Sequence, residues 1–176
     1  AGFTHWAKLN NLKQAAKTMN FLTEHGISNY GELESKLTAL STRRDTAHAE
    51  IKRIESRSAE LALVMKHAGT YRQLKPLYDR YRKSNDKEKF LRGHESEIIL
   101  FEAAARELKR LGAVPLPTTE SMKTELANLS AEKERLLAEY KTARTEAQEY
   151  ETVKQNVDAL LTVAKEQEHQ RQHELE

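Results

Sequence analysis

The stretch LESKLTALSTRRDTAHAEIKRIESRSAELALVMKHA, from Leu33 to Ala68, decides the fold. Along it, positions on one helical face recur at steps that alternate between four and three, which is the spacing of a coiled-coil helix. These positions are Leu33, Leu37, Leu40, Arg44, Ala47, Ile51, Ile54, Ser58, Leu61, Met65 and Ala68. A helix of roughly 29–68 cannot bury such a face by itself, so the pattern predicts a partner helix of similar length.

The C-terminal part of the chain supplies that partner. A helix beginning near 119 and reaching about 168 has the same spacing. Its positions are Met122, Leu126, Leu129, Lys133, Leu136, Tyr140, Ala143, Ala147, Tyr150, Lys154, Val157 and Leu161. Residues 69–118 are long enough to reverse the chain, so we expect the two long helices to pack antiparallel. The polar side chains of Arg44, Ser58, Lys133 and Lys154 should weaken the apolar contact but fix its register.

The remaining segments predict two additions to this hairpin. A first helix of about 4–24, with an apolar face of Trp6, Leu9, Leu12, Ala16, Met19 and Leu22 or Phe21, is expected to fold back on the hairpin base. Between the long helices we expect a short helix over about 71–84 and a longer one over about 87–111, together forming a basic cap at the tip.

Few chain-breaking residues interrupt these helices. Gly26, Gly69 and Gly112 each follow a helical stretch and are expected to end it. Thr118 or Thr119 is expected to cap the last helix at its N-terminus. Because proline removes a backbone donor, Pro76 predicts a break or kink between about Gly69 and Pro76. The predicted segments are therefore 1–28, 29–69, 70–112 and 113–176 of an all-α fold: a coiled-coil-like antiparallel hairpin with a short helix at its base and a small helical cap.

The composition restricts the class of protein further. The chain has 176 residues, of which 32% are charged, with 6 Gly, 3 Pro and 0 Cys. Lack of cysteine excludes a disulfide scaffold, and scarcity of turn residues argues against a β-sandwich or barrel. The sequence has neither a run of 18 apolar residues nor the layout of a signal peptide, so we expect no membrane insertion and a cytoplasmic location.

Basic charge is concentrated in one segment. The whole chain carries a net +2, but residues 70–92 hold eight basic and three acidic residues, a net +5. The basic residues are Arg72, Lys75, Arg80, Arg82, Lys83, Lys87, Lys89 and Arg92, with Tyr71, Tyr78, Tyr81 and Phe90 interleaved among them. Such a mixture suits contact with nucleic-acid phosphates and bases. Alternatively, the tyrosines form the buried side of a helix and the basic residues its solvated side.

Catalytic motifs are missing from the sequence. It has no phosphate-binding glycine loop and no serine elbow. His169 and His173 lie one helical turn apart, but two histidines do not make a metal site, and we interpret them as part of a polar tail. No second histidine follows His94-Glu95 at zinc-protease spacing. We therefore predict no catalytic residue, no metal site and no cofactor in this chain.

Several short sequences resemble one family in their order and spacing. The first are Trp6–Lys17 (WAKLNNLKQAAK) and Phe21–Ile27 (FLTEHGI). The others are Tyr81–Lys83, Lys87–Phe90, His94-Glu95, Ile98–Leu100, Glu102–Ala104, the Leu-Pro-Thr at 116–118 and Val153–Asp158. Together they resemble the C-terminal α-helical region of bacterial relaxases, the mobilisation nucleases of conjugative and mobilisable elements in Gram-positive bacteria. The resemblance covers about 160 residues.

The resemblance implies a function in DNA transfer. A relaxase nicks DNA at a transfer origin with a tyrosine nucleophile and a metal-binding histidine cluster, both in a domain N-terminal to the region matched here. Neither can be assigned to a residue of this chain, so a divalent metal is expected only in that missing domain. The chain would be a non-catalytic module that contacts DNA, and a relaxosome accessory protein or the coupling ATPase would be further partners. The alternative is a structural coiled-coil scaffold or oligomerisation module, including a homodimer.

The end of the last helix predicts an interface. If residue 118 lies opposite residue 68, the last helix passes the beginning of its partner near Val157. Leu160, Leu161 and Val163 then extend beyond the hairpin base, where exposed apolar residues need a cover. Another chain or the missing catalytic domain would supply it; alternatively, the first helix covers these residues.

Overall fold

Over the residues that the structure describes, the chain folds into four helices. The computed structural model describes residues 2–173, and the side chains of residues 11–172. The helices are α1 (Gly2–Glu24), α2 (Tyr30–Lys83), α3 (Lys87–Arg110) and α4 (Thr119–His173). The described residues form no strand, which confirms the predicted all-α class.

The chain divides into two compact units, which we name the terminal unit and the central unit. The terminal unit comprises Ala1–His48 and Leu137–Glu176, and the central unit comprises Ala49–Leu136. Each unit contains a segment of α2 and a segment of α4, and the predicted packing of α2 against α4 is confirmed.

In the terminal unit, contacts show that the two long helices run antiparallel. Near the start of α2, the Tyr30 hydroxyl donates to Asp158 Oδ1 at 2.6 Å. Further along α2, the Arg43 guanidinium donates to Glu139 Oε1 at 3.0 Å. Since the residue number of the α4 partner decreases as that of the α2 residue increases, the two helices run in opposite directions. A buried cluster of Ile27, Leu33, Tyr150 and Val153 lies beside these contacts.

The central unit shows the same antiparallel arrangement. Lys133 Nζ lies 2.9 Å from Glu55 Oε1, and the Arg57 guanidinium donates to Glu125 Oε1 at 2.7 Å. Here α3 packs beside α2 and α4 and completes a three-helix core. Its buried residues are Leu61, Val64, Ala68, Leu108, Ala113 and Met122.

The predicted heptad positions form the packed faces of both long helices. Every one of them in α2, from Leu33 to Ala68, is buried or half-buried. The same holds in α4 from Met122 to Val157, whereas Leu161 is 47% exposed. Regular spacing in the sequence therefore located the core of the hairpin correctly, including the half-buried polar positions Arg44 and Lys133.

The predicted break between Gly69 and Pro76 is wrong, because α2 continues unbroken through both residues to Lys83. A single ring of α3 contacts α2 on both sides of the proline. Phe101 stacks on Tyr71 with 4.8 Å between ring centroids, and on Tyr78 with 4.2 Å. These contacts offset the lost backbone hydrogen bond, and the separate short helix expected over about 71–84 is the last part of α2.

The predicted apolar face of α1 is wrong at Leu12, Ala16 and Met19, whereas Phe21 and Leu22 at its end do pack against the buried cluster of the terminal unit. Leu12 is 66% exposed and Met19 is 58% exposed, while Thr18 is buried at 2% exposure. The side chains of Trp6 and Leu9 lie outside the described ones. The end of α1 fixes its rotation, because the Phe21 ring meets the Tyr150 ring edge-on at 5.0 Å and Ile27 is buried beyond it.

Two of the three predicted glycine caps are confirmed. Gly26 and Gly112 have positive φ angles of 63° and 68°, which glycine adopts without strain. After Gly112, the Ala113 N–H donates to Leu108 O at 2.9 Å, and Gly112 N–H itself donates to Lys109 O at 3.1 Å, as in a Schellman motif. The third, Gly69, lies inside α2. At the start of α4, Thr118 Oγ1 accepts from the Ser121 N–H at 3.1 Å, as a cap does.

Candidate nucleic-acid interface

The candidate site surrounds the turn between α2 and α3 in the central unit. Arg72, Lys75, Arg80, Arg82 and Lys83 lie on the last part of α2, and Lys87, Lys89 and Arg92 lie at the start of α3. Asp86 caps α3, its Oδ1 accepting from the Lys89 N–H at 3.0 Å. The turn is further closed by the Ser84 hydroxyl, which donates to Asp86 O at 3.1 Å.

Aromatic rings hold the two helices together beneath these basic side chains. From Tyr78 the ring contacts continue to Tyr81, Phe90 and His94. The distances between successive ring centroids are 5.9 Å, 6.0 Å and 4.9 Å. All of these rings are half-buried. The Tyr78 hydroxyl donates to Glu102 Oε1 at 3.3 Å, and burial is the main cause that raises the pKa of Tyr78.

These contacts bear on the two interpretations of the tyrosines. Tyr71 and Tyr78 stack on Phe101, so one face of each ring is occupied by the protein and is closed to a nucleic-acid base. The contact between Tyr81 of α2 and Phe90 of α3 also brings the sequence neighbours of these two rings close together. These neighbours are Arg80 and Arg82 on α2 and Lys89 on α3. The rings thus serve the fold and position the basic side chains.

Two of the eight predicted DNA-binding residues have partners within the protein. The Arg72 guanidinium donates to Thr119 Oγ1 at 2.8 Å and to Pro117 O, so it attaches α2 to the start of α4. Lys75 Nζ lies 3.0 Å from Asp79 Oδ2, and that carboxylate raises the pKa of Lys75. The four-residue spacing of Lys75 and Asp79 was visible in the sequence, whereas nothing there indicated the long-range contacts of Arg72.

The other six residues form what we name the basic turn surface. Its members are Arg80, Arg82, Lys83, Lys87, Lys89 and Arg92, all exposed. None of them forms an ion pair with another described residue, in contrast to the basic side chains that pair with carboxylates elsewhere on α2, such as Lys52 with Glu55. Two carboxylates lie among these six basic side chains, Asp86 at the helix cap and the exposed Glu88, so residues 80–92 have a net charge of +4.

A kink in α3 adjoins this surface. His94 has φ −142° and ψ 24°, outside the helical range, so the first turns of α3 are set at an angle to the rest. Its Nδ1 lies 3.5 Å from Glu97 Oε1. Glu97 has a lowered pKa, mainly because its carboxylate accepts from its own backbone N–H and then because of His94.

Within the described part of the chain, the structure contains neither a metal-binding cluster nor a membrane-spanning helix. Among the described residues, no three histidine, aspartate or glutamate side chains lie close enough together to hold a metal ion. No helix among them combines the length and the apolar character that crossing a bilayer requires.

The predicted interface residues lie near the end of α4 in the terminal unit. Leu160 is 41% exposed, Leu161 is 47% exposed and Val163 is 50% exposed. Leu160 and Val163 line a groove of about 260 Å³ with Asn11 and Ala15 of α1. The first helix therefore flanks these residues, yet leaves about half of each in contact with solvent.

Comparisons with known proteins give no match: no family model, no curated protein and no solved structure is similar to the chain.

Proposed function

We propose that the chain is a non-catalytic DNA-binding module of a conjugative relaxase and that the basic turn surface contacts the DNA. The observation that supports DNA binding is the group of six exposed basic side chains without ion pairs, gathered on one turn of the central unit. A surface of this kind binds phosphates by releasing counterions, and it does so without recognising a particular sequence.

Charge reversal at the turn tests DNA binding. We expect the triple variant Arg80→Glu, Arg82→Glu, Lys83→Glu to bind a fluorescent duplex more weakly at low salt. The slope of log Kd against log salt should become shallower by roughly 2 to 3, because three phosphate contacts are lost. Affinity should fall equally for a transfer-origin duplex and a scrambled duplex, since phosphate contacts carry no sequence information.

A matched control separates local contact from total charge. Lys66, Arg106 and Lys109 are exposed basic residues of the same unit that form no ion pair with a described residue and lie away from the turn. Reversing these three to glutamate changes the net charge by the same amount and should change the salt slope much less. Equal effects in both triple variants would mean that only the total charge matters. A wild-type chain without affinity for DNA at low salt would refute the proposal and favour the coiled-coil scaffold.

The relaxase assignment rests on the sequence resemblance, and it needs its own test. In a complete relaxase that carries this module, we expect the Arg80, Arg82 and Lys83 variant to lower the transfer frequency in mating assays. Nicking of a short origin oligonucleotide by the nuclease domain should be unchanged, because the module is proposed to position DNA and partners such as the coupling ATPase. Loss of nicking in the variant would contradict a non-catalytic role.

A further inference from the structure

An open groove of about 300 Å³ lies beside the turn between α2 and α3, within the central unit. It is lined by Ser84, Asp86, Lys89, Phe90, Gly93 and His94. Two features of α3 leave this space unfilled. Gly93 contributes no side chain, and an added Cβ there would meet no atom within 4 Å. The helix also bends at His94, whose backbone angles lie outside the helical range.

Phe90 and His94 give the groove an aromatic lining. Their ring centroids lie 4.9 Å apart and their planes are tilted by 39°. The contact of Phe90 with Tyr81, at 6.0 Å, is also tilted, by 44°. Unlike the rings that stack on Phe101, Phe90 therefore has no parallel ring against it among the described residues. A planar aromatic ligand in the groove can pack against this ring.

The other side chains that line the groove are polar. Ser84 carries a hydroxyl group, Asp86 a carboxylate and Lys89 an ammonium group. A carboxylate has about four acceptor sites, and Asp86 Oδ1 accepts from the Lys89 N–H, so Asp86 retains capacity for a further hydrogen bond. Aromatic side chains together with a few donors and acceptors suit a flat ring that has a polar edge, and a nucleobase is such a ring.

The charge around the groove favours a base that belongs to a nucleic acid. Residues 80–92 have a net charge of +4, and Lys89 belongs both to the groove and to the basic turn surface. A DNA backbone bound at that surface would hold its bases next to the groove. Within a duplex, each base is stacked on its neighbours and paired at its edge. Only a base outside the helical stack can therefore enter.

We propose that the groove binds one unpaired base of DNA whose phosphates contact the basic turn surface. The inference rests on the proposed DNA binding and adds a ligand class, a nucleobase that is extruded from the duplex. Phe90 and His94 pack against the base, while Ser84, Asp86 and Lys89 bond to its polar edge. Affinity then depends on the presence of an unpaired base in the bound DNA.

Three fluorescent DNA probes of the same sequence test the proposal. The first is a perfect duplex, the second has one extra unpaired adenine in one strand, and the third has an abasic site in place of that adenine. The wild-type chain should bind the second probe about tenfold more tightly than the first, because one base stacks on aromatic side chains. The abasic probe also interrupts the duplex but offers no base, so its affinity should equal that of the perfect duplex. Equal affinities for the adenine and abasic probes would overturn the proposal.

A matched pair of glycine variants locates the binding. Gly93→Leu should fill the groove without changing the charge, and should remove the preference for the unpaired adenine. Its affinity for the perfect duplex and its salt slope should match the wild type. Gly69→Leu is the control, because Gly69 is also an exposed helical glycine of the central unit with no atom within 4 Å of an added Cβ. Circular dichroism checks that both variants fold.

The control should keep the tenfold preference. A Gly93→Leu variant that keeps it as well, or a Gly69→Leu variant that loses it equally, would overturn the groove as the binding site. The perfect duplex separates this inference from the proposed function. A wild-type chain that binds all three probes equally refutes the base site but supports electrostatic DNA binding, whereas a chain that binds none of them refutes both.

Discussion

Thr18 carries a buried hydroxyl without a hydrogen-bond partner among the described residues. It lies on the face of α1 that packs towards α4, beside an open groove of about 450 Å³. Because its oxygen is covered by protein, a ligand in the groove could not reach it. An unpaired buried hydroxyl costs about 1 to 3 kcal/mol, so the residue contributes packing through its methyl group while its oxygen is unfavourable.

We therefore expect Thr18→Val to stabilise the protein. Valine keeps the branched shape and removes the unpaired oxygen, which should raise the free energy of unfolding by about 1 kcal/mol and the Tm by about 2 to 4 °C. Thr18→Ser is the control, since it keeps the hydroxyl, loses the methyl group and should destabilise. Thermal unfolding by circular dichroism measures both. A lower Tm for the valine variant would show that the hydroxyl has a partner in solution.

Glu55 is the residue whose charge should couple stability to pH. Lys133 of α4 and Lys52 of α2 lower the pKa of Glu55 from 4.5 to about 2, with the hydrogen bond from Lys133 as the largest cause. A lowered folded-state pKa means that the ionised form stabilises the fold. This stabilisation is complete above about pH 4.5 and is lost as the pH falls towards 2.

The variant Glu55→Gln should lose less stability than the wild type between pH 5 and pH 2. The difference should be small and should shrink in high salt, because both side chains are more than a third exposed to solvent, which screens their attraction. Glu134→Gln is a suitable control: Glu134 is exposed on α4 and forms no ion pair with a described residue, so its curve should follow that of the wild type. Tm measured across this pH range checks the prediction. Parallel curves for Glu55→Gln and the wild type would contradict it.

At the scale of the elements, replacing either of two glycines with alanine should change the free energy of unfolding in opposite directions. Gly69 lies within α2, and an added Cβ would meet no atom within 4 Å. Gly112 ends α3 with a φ of 68°, where an alanine is strained whatever the space. Gly69→Ala should stabilise by about 0.4 to 1 kcal/mol and Gly112→Ala should destabilise by at least as much. Chemical denaturation measures both, and destabilisation by Gly69→Ala would show that Gly69 is not in the interior of a helix.

The same elements show which features the sequence could predict. Heptad spacing identified the packed faces of α2 and α4, because each long helix has only one face that can be buried along its length. A break at Pro76 was predicted wrongly, because local helix propensity takes no account of residues distant in sequence. Phe101, 25 positions later, stacks on Tyr71 before the proline and on Tyr78 after it. The prediction of a buried face on α1 failed at Leu12, Ala16 and Met19 for a related reason. The apolar pattern of a helix does not indicate which partner would bury it.

The candidate interface was predictable in part. Clustered basic residues mark the turn between α2 and α3 in the sequence, and six of the eight remain exposed without ion pairs in the structure. The role of Arg72 depends on Thr119 and Pro117, which are distant in sequence, and so it could be found only from the fold. The aromatic residues were ambiguous in the sequence, and their mutual stacking indicates a structural role.

At the scale of the whole molecule, the register of α2 against α4 determines which residues are core. Leu136 and Leu137 are neighbours of the same type, yet Leu136 is buried at 6% exposure and Leu137 is 36% exposed. Leu136→Asp places an unpaired charge in the packed face and should lower the Tm by many degrees, as should Ile51→Asp, which is buried at 5%. Leu137→Asp should cost much less, because its carboxylate can reach water.

The comparison of these two leucines tests the register directly. A shift of α4 by one position that put Leu137 in the place of Leu136 would bury Leu137, move Leu136 to the exposed place of Arg135 and therefore reverse the order of the two effects. Such a shift would also separate Tyr30 from Asp158 and Lys133 from Glu55, the polar contacts that join α2 and α4 in the terminal and central units. Thermal unfolding of Leu136→Asp and Leu137→Asp in the same buffer is sufficient. A larger loss in Leu137→Asp would require a different register, whereas a larger loss in Leu136→Asp supports the antiparallel packing described above.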